Sequence, residues 1–565
     1  MTARLQHATA HLLVAAVYAL GLSQGMDAAA AARFEEMEKE ALAALQKAEA
    51  ATGQEASMVM ALHRLGSLYH HNGRPAEAES SYRRSLALLE KLRGPESPDV
   101  ALTLNNLALL YRTQGQYARA LPLFERALAI YGKALGPEHP HVATALGNLG
   151  LLYRDLGQYG KAAALGGRAL TIAERTQGLD GSGLIGLLTN LAEVSLSLGD
   201  YARADLLFRR ALAISEKALG PDDPELARVV TRVAAVATIR GEFSQAEPLL
   251  RRALTVLHNR LSAEDPRLGV LFTSLGDLAF YQGRYAEAEP MYRRALAIRE
   301  KALPADHPEV ARSLADLAEV HYGRFRYDAA EALFRRALAI DYKVLGPAHP
   351  DVAQLQSRLG DVCFQRGQYS EAESLFQRSL TIRERALGTE HPLAAQSVDK
   401  LAKIATVQGE LQRAERLSRH SLDILEKALG PNHTEVGVGL TTLAWVKQEQ
   451  GRSGEAIAFY ERALQILETS LGAGHPQVAS TAANLAGVHY GRGDYRRAER
   501  LLRRALEIRE STFGSGHALT AMSYRDYAQV LRKLKRKKEA ESIESRANTP
   551  VVTGLGVQAT QKSVP

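Results

Sequence analysis

The residues of this chain that could do chemistry recur at a fixed interval instead of gathering in one cluster. Seven of its 17 histidines share one position of a 42-residue repeat, and five of those seven directly precede proline. They are His139, His307, His349, His391, His433, His475 and His517. A zinc site needs nitrogen ligands about 2 Å from one ion, and side chains a whole repeat apart do not meet that distance. We therefore predict a structural role for these histidines at turns before helices, and we expect no metal or other cofactor.

The single cysteine, Cys363, is the one candidate thiol nucleophile, and His321 holds the same position of the preceding repeat. A nucleophile needs a base and a third group that orients the base, and the sequence specifies no such carboxylate. The position belongs to an apolar stripe, where cysteine usually packs as a small buried residue. Because phosphate-binding loops, nucleophile elbows and paired-cysteine zinc motifs are also missing from the sequence, we predict that the protein is not an enzyme.

The element that carries all these residues is the repeat itself. Alanine recurs at every forty-second residue from Ala78 to Ala540, with no insertion or deletion. Glycine lies five residues before most of these alanines, and only Phe325 and Lys535 interrupt that series. A period of 20 to 50 residues is typical of stacked helical units, each too small to bury its apolar face alone. The sequence therefore predicts one elongated domain.

Residues 98–140 show the punctuation expected of two helices. Pro98 suits a first helical position, Gly115 supplies the turn between the helices, and Gly136 is placed to end the second helix. The first apolar stripe consists of Val100, Leu104, Leu107, Ala108 and Tyr111, and the second of Ala120, Leu123, Phe124, Ala127, Leu128 and Tyr131. Their spacing is helical. We expect Gly136 to adopt a left-handed conformation.

The segment ALTLNNLALLYRTQGQYARALPLFERALAIYGKALGPEHP, residues 101–140, resembles a tetratricopeptide repeat of the kinesin light chain subtype. The resemblance extends over residues 56–546. It implies an all-α fold, a tetratricopeptide-type right-handed α-solenoid of about twelve helix-turn-helix repeats, and the binding of a protein or peptide segment. The heptad coiled coil that precedes the repeats of motor light chains is missing from this sequence, so a motor role is not implied.

The two ends differ from the repeats. An apolar run from Leu12 to Leu22 follows Arg4 and precedes small residues, which is typical of a secretory signal peptide and too short to span a bilayer. We expect a signal peptide and leader at residues 1–32, and hence an exported or periplasmic protein. The alternative is an N-terminal helix that packs on the first repeat of a cytoplasmic protein. We also expect a capping helix at residues 33–55 and a disordered tail at residues 547–565.

The first helix of each repeat offers a second face, which should line the inner surface of the superhelix. In the repeat at residues 98–140 this face carries Asn106, and the equivalent positions of the next two repeats hold Asn148 and Asn190. Asparagines at this motif position hold the bound peptide in the kinesin light chain family, so the resemblance implies the same role here. The alternative role is to keep the groove hydrated. We expect each carboxamide to face solvent and to make few bonds inside the protein.

Charged residues follow the asparagines along this face. Arg112 and Arg154 lie toward the N-terminus, whereas the middle of the chain is acidic, with Glu193, Asp277, Glu319 and Asp361. Because like charges across an interface weaken binding, the N-terminal half should prefer acidic or neutral segments and the middle basic ones. Trp445 lies on the same face, either as an anchor for a ligand or packed against its neighbour.

A stripe of arginines on the second helices supports a different function, contact with nucleic acid. It comprises Arg84, Arg126, Arg168, Arg210, Arg252, Arg294, Arg336, Arg378, Arg462 and Arg504. Glutamates such as Glu216 and Glu300 accompany it, and the net charge of +7 is modest for 565 residues. We therefore favour a solvated face of ion pairs. The predicted function is a non-enzymatic protein-binding scaffold, and the alternative is a nucleic-acid-associated repeat protein.

Overall fold

A computed structural model describes residues 28–51, 53–220 and 223–547. The apolar run at the N-terminus and the residues after Ala547 lie outside these ranges, so the expectations for a signal peptide and a disordered tail concern residues that the structure does not describe. The described chain begins with α1, Ala28–Glu49, which contributes Ala41 and Leu45 to the core beneath the first repeat. No helix in the described ranges has both the length and the apolarity needed to cross a membrane.

Twelve helix pairs follow α1. The first six are α2 Glu55–His71 with α3 Pro75–Arg93, α4 Pro98–Thr113 with α5 Tyr117–Leu135, α6 Pro140–Asp155 with α7 Tyr159–Gln177, α8 Leu184–Ser197 with α9 Tyr201–Leu219, α10 Ala227–Ile239 with α11 Phe243–Arg260, and α12 Pro266–Tyr281 with α13 Tyr285–Ala302. The last six are α14 Pro308–Gly323 with α15 Tyr327–Val344, α16 Pro350–Gln365 with α17 Tyr369–Leu387, α18 Pro392–Val407 with α19 Leu411–Leu429, α20 Thr434–Glu449 with α21 Ser453–Leu471, α22 Pro476–Gly491 with α23 Tyr495–Phe513, and α24 Ala518–Lys533 with α25 Lys537–Ala547. A short 3-10 helix, Pro224–Leu226, precedes α10. The all-α solenoid is confirmed.

The predicted role of the repeated histidines at helix starts is confirmed by their hydrogen bonds. All seven are N-cap residues, and in each the side chain accepts a bond from the backbone N–H two residues later. His391 Nδ1, for example, lies 3.0 Å from the amide nitrogen of Leu393. The cap satisfies one of the backbone donors that a helix leaves unpaired at its first turn.

The glycine at the end of the second helix differs from the expectation in one angle. Gly136 has the positive φ predicted, at 91°, but its ψ of 156° is extended, so it is not in the left-handed helical conformation. This region of backbone space belongs almost entirely to glycine. The extended ψ carries the chain directly away from α5 toward the start of α6.

The apolar stripes pack as the sequence predicts. Ala108 and Ala120 are fully buried where α4 meets α5, and Phe124 lies in the same core cluster. Cys363 is also fully buried, and burial raises the pKa of its thiol to about 11. His321 is buried too. These two side chains have the packing role that the sequence favours.

The turn between the two helices requires a positive φ in every repeat. Gly115 has a φ of 67°, and the two residues that interrupt the glycine series keep the same geometry, with φ of 60° at Phe325 and 63° at Lys535. A bulky side chain rarely adopts this conformation because its Cβ meets the backbone. The repeat geometry therefore imposes strain at two positions where the sequence lacks glycine.

The solenoid coils tightly enough for successive superhelical turns to touch. A Cβ added to Gly115 would lie 2.8 Å from Pro350 Cδ, and one added to Gly157 would lie 2.8 Å from His391 Cδ2. His349 Nε2 also lies 3.4 Å from the backbone oxygen of Thr113. We call this contact line the seam, formed by the turn glycines from Gly73 to Gly283 and the cap histidines from His307 to His517. One full turn of the superhelix therefore contains between five and six repeats.

Candidate functional site

The three asparagines predicted to bind a peptide lie half-buried on α4, α6 and α8. Asn106 Nδ2 is 3.1 Å from His63 Nε2, and Asn148 Nδ2 donates to Asn105 Oδ1 at 3.0 Å. Two of the three carboxamides therefore hydrogen-bond to the preceding repeat. Asn106 and Asn148 therefore have fewer hydrogen-bonding atoms free for a ligand than the sequence suggests. All three side chains nevertheless remain partly exposed.

The two basic residues near them share one buried carboxylate. Arg112 Nε lies 2.5 Å from Asp155 Oδ2, and Arg154 Nη2 lies 2.8 Å from Asp155 Oδ1. Burial alone would raise the pKa of Asp155, but the two guanidinium groups outweigh it and hold that pKa below its ordinary value. Sequence reasoning missed Asp155, although its place after Arg154 at the end of the helix was a usable signal.

Glu193 lies between two arginines from the neighbouring repeats. The distances are 3.6 Å to Arg154 Nη1 and 3.4 Å to Arg232 Nη1, and all three side chains are buried. Burial raises the pKa of Glu193 and lowers that of Arg232 to about 10. A buried pair of this kind holds its geometry because separating it would leave a charge without a partner.

Asp361 also lies between two basic residues, one from its own helix and one from the next repeat. Lys400 Nζ lies 2.8 Å from Asp361 Oδ1, and Arg358 Nη1 lies 3.5 Å from Asp361 Oδ2. The Nε of Arg358 also lies 2.9 Å from Glu319 Oε1, so one guanidinium serves two carboxylates. Burial lowers the pKa of Lys400 to about 8.

The predicted separation of charge along the inner face is therefore wrong at Glu193 and Asp361. Both are flanked by basic residues, which come from the two adjacent repeats at Glu193, and from the same helix and the next repeat at Asp361. Asp277, Asp316 and Glu319 form a group of acidic side chains in the middle of the chain. Burial and the repulsion between carboxylates raise all three pKa values, and Tyr292 donates a hydrogen bond to Asp277 at 2.6 Å.

Trp445 is half-buried on α20, and its indole Nε1 donates to Glu449 Oε1 at 3.2 Å. The acceptor belongs to the same helix, one turn later. The ring is therefore held by its own helix and still has surface exposed.

An aromatic pocket lies along the seam. Eight aromatic side chains line it. They are Phe243, Phe280, Tyr281, Tyr285, Tyr322, Phe325, Tyr327 and Phe513. Glu319, Gln365 and the start of α22 contribute the polar part of the wall. Sequence reasoning missed this pocket, since its two sides come from repeats that are distant in the chain.

The arginine stripe on the second helices forms ion pairs between repeats, as the sequence favours. Seven of its ten arginines each pair with a glutamate of the preceding repeat, or of α1 in the case of Arg84, at distances between 2.5 and 2.9 Å. The pairs are Arg84–Glu49, Arg126–Glu90, Arg210–Glu174, Arg252–Glu216, Arg336–Glu300, Arg462–Glu426 and Arg504–Glu468. Within the described ranges, no group of three or more acidic, histidine or cysteine side chains is placed to hold a metal ion.

The comparison with known families agrees with this geometry. A tetratricopeptide repeat model matches residues 57–133, 115–175, 184–257, 268–343, 351–406, 394–469, 448–511 and 477–547, which is more than half of the chain. The chain belongs to the tetratricopeptide repeat family. Proteins of this family are generally protein-interaction scaffolds.

Several solved structures are similar to parts of this tetratricopeptide repeat chain. BtubC (BKLC) from P. vanneervenii is 27% identical over 40% of this chain and 91% of its own, with a TM-score of 0.35. A kinesin light chain with nearly identical TPR-like repeats from Podosopora anserina is 26% identical over 37% of this chain and 99% of its own, with a TM-score of 0.32. A second structure of that protein is 25% identical over 37% of this chain and 98% of its own, with a TM-score of 0.31. No curated protein matches the chain.

Proposed function

We propose that this chain is a non-enzymatic scaffold that binds a peptide or protein segment in the concave groove near its N-terminus. One observation carries the location. The position that Asn106 holds in its repeat is occupied by an exposed or half-buried residue in four successive repeats, at Arg64, Asn106, Asn148 and Asn190. From Arg232 onward, buried side chains interrupt the row. The N-terminal repeats therefore offer the longest continuous stretch of inner surface for a ligand.

The carboxamides supply the chemistry of recognition. An asparagine side chain both donates and accepts hydrogen bonds, which suits the alternating N–H and C=O groups of an extended backbone. An incoming segment would replace the bonds that Asn106 and Asn148 now make to the preceding repeat. Since one set of bonds is exchanged for another, selectivity for side chains must come from the surrounding surface.

Charge near this surface favours a neutral or acidic segment. Arg112 keeps a small part of its side chain exposed, whereas Arg154 and Asp155 are buried together. Arg112 lies at the C-terminal end of α4, and its positive charge would repel a basic ligand there. The acidic stretch around Glu319 favours the opposite charge farther along the chain.

The test is a triple variant, Asn106→Ala, Asn148→Ala and Asn190→Ala, with binding to a partner captured from the native host. Binding should fall sharply, since each lost amide leaves peptide groups unpaired at about 1–3 kcal/mol apiece. The fold should be kept, as shown by an unchanged helical circular dichroism spectrum. A matched control replaces three exposed polar residues of second helices, Thr171, Gln377 and Thr469, by alanine. Normal binding by the asparagine variant would exclude this groove as the site.

We also infer that the protein is exported, on the basis of the apolar run from Leu12 to Leu22 and the small residues after it. N-terminal sequencing of the protein purified from its native host tests this. A mature N-terminus beyond residue 22 supports export, and a chain that keeps Met1 contradicts it.

A further inference from the structure

The aromatic pocket lies where the seam leaves part of the chain uncovered. In the earlier repeats, Tyr117 and Tyr201 begin the second helix as buried residues, whereas Tyr159 and Phe243 are half-buried at the same position. Tyr201 lies beneath the next superhelical turn, where its hydroxyl is 3.3 Å from Thr434 Oγ1. The equivalent residues at the pocket, Tyr285 and Tyr327, remain half-buried with ring surface accessible. The pocket thus offers apolar ring surface that the described residues do not cover.

Phe325 marks the rim of this pocket. Its side chain is 43% exposed, and its φ of 60° is one that glycine holds in ten other repeats. Such a conformation in a bulky residue is strained, and strained backbone of this kind is concentrated at functional sites. Its ring lies 6.3 Å from that of Tyr327 at an interplanar angle of 88°. An exposed ring held at an energetic cost is consistent with a role in binding.

The charge of the pocket wall is one-sided. Glu319 contributes a carboxylate, and no lysine or arginine belongs to the lining. The two histidines of the lining, His475 and His517, are neutral near pH 7, because burial lowers the pKa of each to about 4. Glu319 lies 2.9 Å from Arg358, which also pairs with Asp361. Burial and the charges of Asp361 and Asp316 raise the pKa of Glu319 to about 8, so an incoming cation would displace a proton and restore the carboxylate. Aromatic faces are also electronegative, so the pocket favours a cation over an anion.

The chain already pairs arginine with tyrosine in its own repeats. The guanidinium carbon of Arg119 lies 3.9 Å from the ring centroid of Tyr111, and that of Arg74 lies 4.5 Å from the ring of Tyr69. A guanidinium is flat, weakly hydrated and able to stack on a ring while it bonds to a carboxylate. It therefore matches a pocket of aromatic rings with one carboxylate in its wall.

We propose that this pocket binds the arginine side chain of a peptide partner, stacked on the aromatic rings near Phe325 and paired with Glu319. The inference rests on the proposed scaffold function and names the partner chemistry at a second site, whose lining includes none of the three asparagines. The position of the pocket on the seam supports the proposal. Residues of two superhelical turns already pack against each other there, as Phe513 does against Gly283.

The test compares two tripeptides on the full chain by ligand-observed NMR and calorimetry. One is acetyl-Phe-Arg-Phe-amide, and the other replaces arginine with neutral citrulline, which has nearly the same shape. The arginine peptide should bind about tenfold more tightly or better, as expected for a desolvated cation on aromatic rings. Glu319→Gln should remove most of the difference between the peptides. Phe325→Gly should weaken both, and it should fold, since glycine is the usual residue at this turn.

Glu287→Gln is the matched control, since Glu287 is an exposed carboxylate on α13 that does not line the pocket. It should bind the arginine peptide as the unmodified chain does.

Equal affinity for the two peptides, no detectable binding of either, or no effect of Glu319→Gln and Phe325→Gly would each overturn the proposal. Binding that arises only after deletion of residues 548–565 would also overturn it, because the chain's own segment would then be the occupant. Self-association that Phe325→Gly abolishes would assign the pocket to a second copy instead.

The same peptides on the triple asparagine variant separate this proposal from the scaffold function. Both sites are supported if the triple asparagine variant loses its captured partner but still binds the arginine peptide more tightly than the citrulline peptide. A captured partner that binds normally to Glu319→Gln and Phe325→Gly leaves the groove as the site and overturns the pocket.

Discussion

His391 Nε2 lies 3.2 Å from the backbone oxygen of Asp155, a residue 236 positions earlier in the chain. The same ring accepts a hydrogen bond at Nδ1 from the amide of Leu393. A neutral imidazole protonated at Nε2 satisfies both contacts, whereas a charged ring would turn an N–H of Nδ1 toward another N–H. One side chain thus begins α18 and joins two superhelical turns.

The first prediction concerns pH. Burial foremost, and then Arg383, lower the pKa of His391 from 6.5 to about 4, against the effect of the Asp155 carbonyl and carboxylate. The unfolded chain therefore binds a proton that the folded chain rejects between pH 6.5 and 4, and stability is lost as the pH falls through this window. The full difference is about 3 kcal/mol for this histidine. Urea unfolding midpoints at pH 7.5 and 4.5 measure it.

The variant His391→Asn isolates this contribution, because asparagine caps a helix without titrating. It should unfold at lower urea than the unmodified chain at pH 7.5 and lose less stability on acidification. Buried carboxyls whose pKa is raised, such as Glu435 near 7, act in the opposite direction but are the same in both proteins. His139→Asn is the control, since its repeat has no earlier superhelical turn to contact. If acidification lowers the unfolding midpoints of His391→Asn and of the unmodified chain by the same amount, burial at the seam does not prevent protonation of His391.

The second prediction tests the contact between turns by two identical substitutions. Gly157 and Gly451 have nearly equal φ, at 70° and 74°, but only at Gly157 would a Cβ meet another part of the chain, namely His391. Gly157→Ala should therefore lose about 1–3 kcal/mol more than Gly451→Ala, as expected for overpacking. Small-angle X-ray scattering should also show a more extended particle for Gly157→Ala alone. Equal losses of stability and equal profiles would mean that the turns do not touch in solution.

The third prediction is that Lys535→Gly stabilises the protein. Lys535 holds a φ of 63° at an exposed turn, where its side chain covers no core residue. Glycine removes the backbone strain of the folded state but also makes the unfolded chain more flexible. Since the first effect is larger, the free energy of unfolding should rise by about 1 kcal/mol or less. Lys533→Gly, inside the last turn of α24, should be destabilising and serves as the control. A lower melting temperature for Lys535→Gly would contradict the idea of strain at this turn.

The fourth prediction concerns the junction before α8. Gly183 precedes this helix and provides no side-chain cap, whereas His139 caps the equivalent helix α6. Opening should cost less where the first turn lacks its capping bond, by about 1 kcal/mol. Hydrogen exchange followed by mass spectrometry should therefore show faster exchange at residues 177–186 than at 135–142. Equal protection of the two segments would remove this prediction.

Much of the fold could be predicted from the sequence because its causes are local. The spacing of Ala108 and Ala120, the proline at Pro98 and the glycine at Gly115 each act within one repeat, and the 42-residue period multiplies them without change. The helix-capping role of the histidines followed from the same logic. The inner face was predicted less well: Arg154 and Glu193 were placed on the correct face, but not paired with each other.

What the sequence determined by itself is therefore the repeat: two helices, their caps, their buried stripe and the row of asparagines. The tertiary structure alone decided the pitch of the superhelix, which results from small rotations added over many repeats and is marked by no single residue. That pitch brings His391 to Asp155 and leaves an open pocket at Phe325, whereas the stacking of adjacent repeats buries Glu193 between two arginines. Contacts between residues more than 200 positions apart depend on this sum of rotations, so a pattern that repeats every 42 residues contains no direct signal for them.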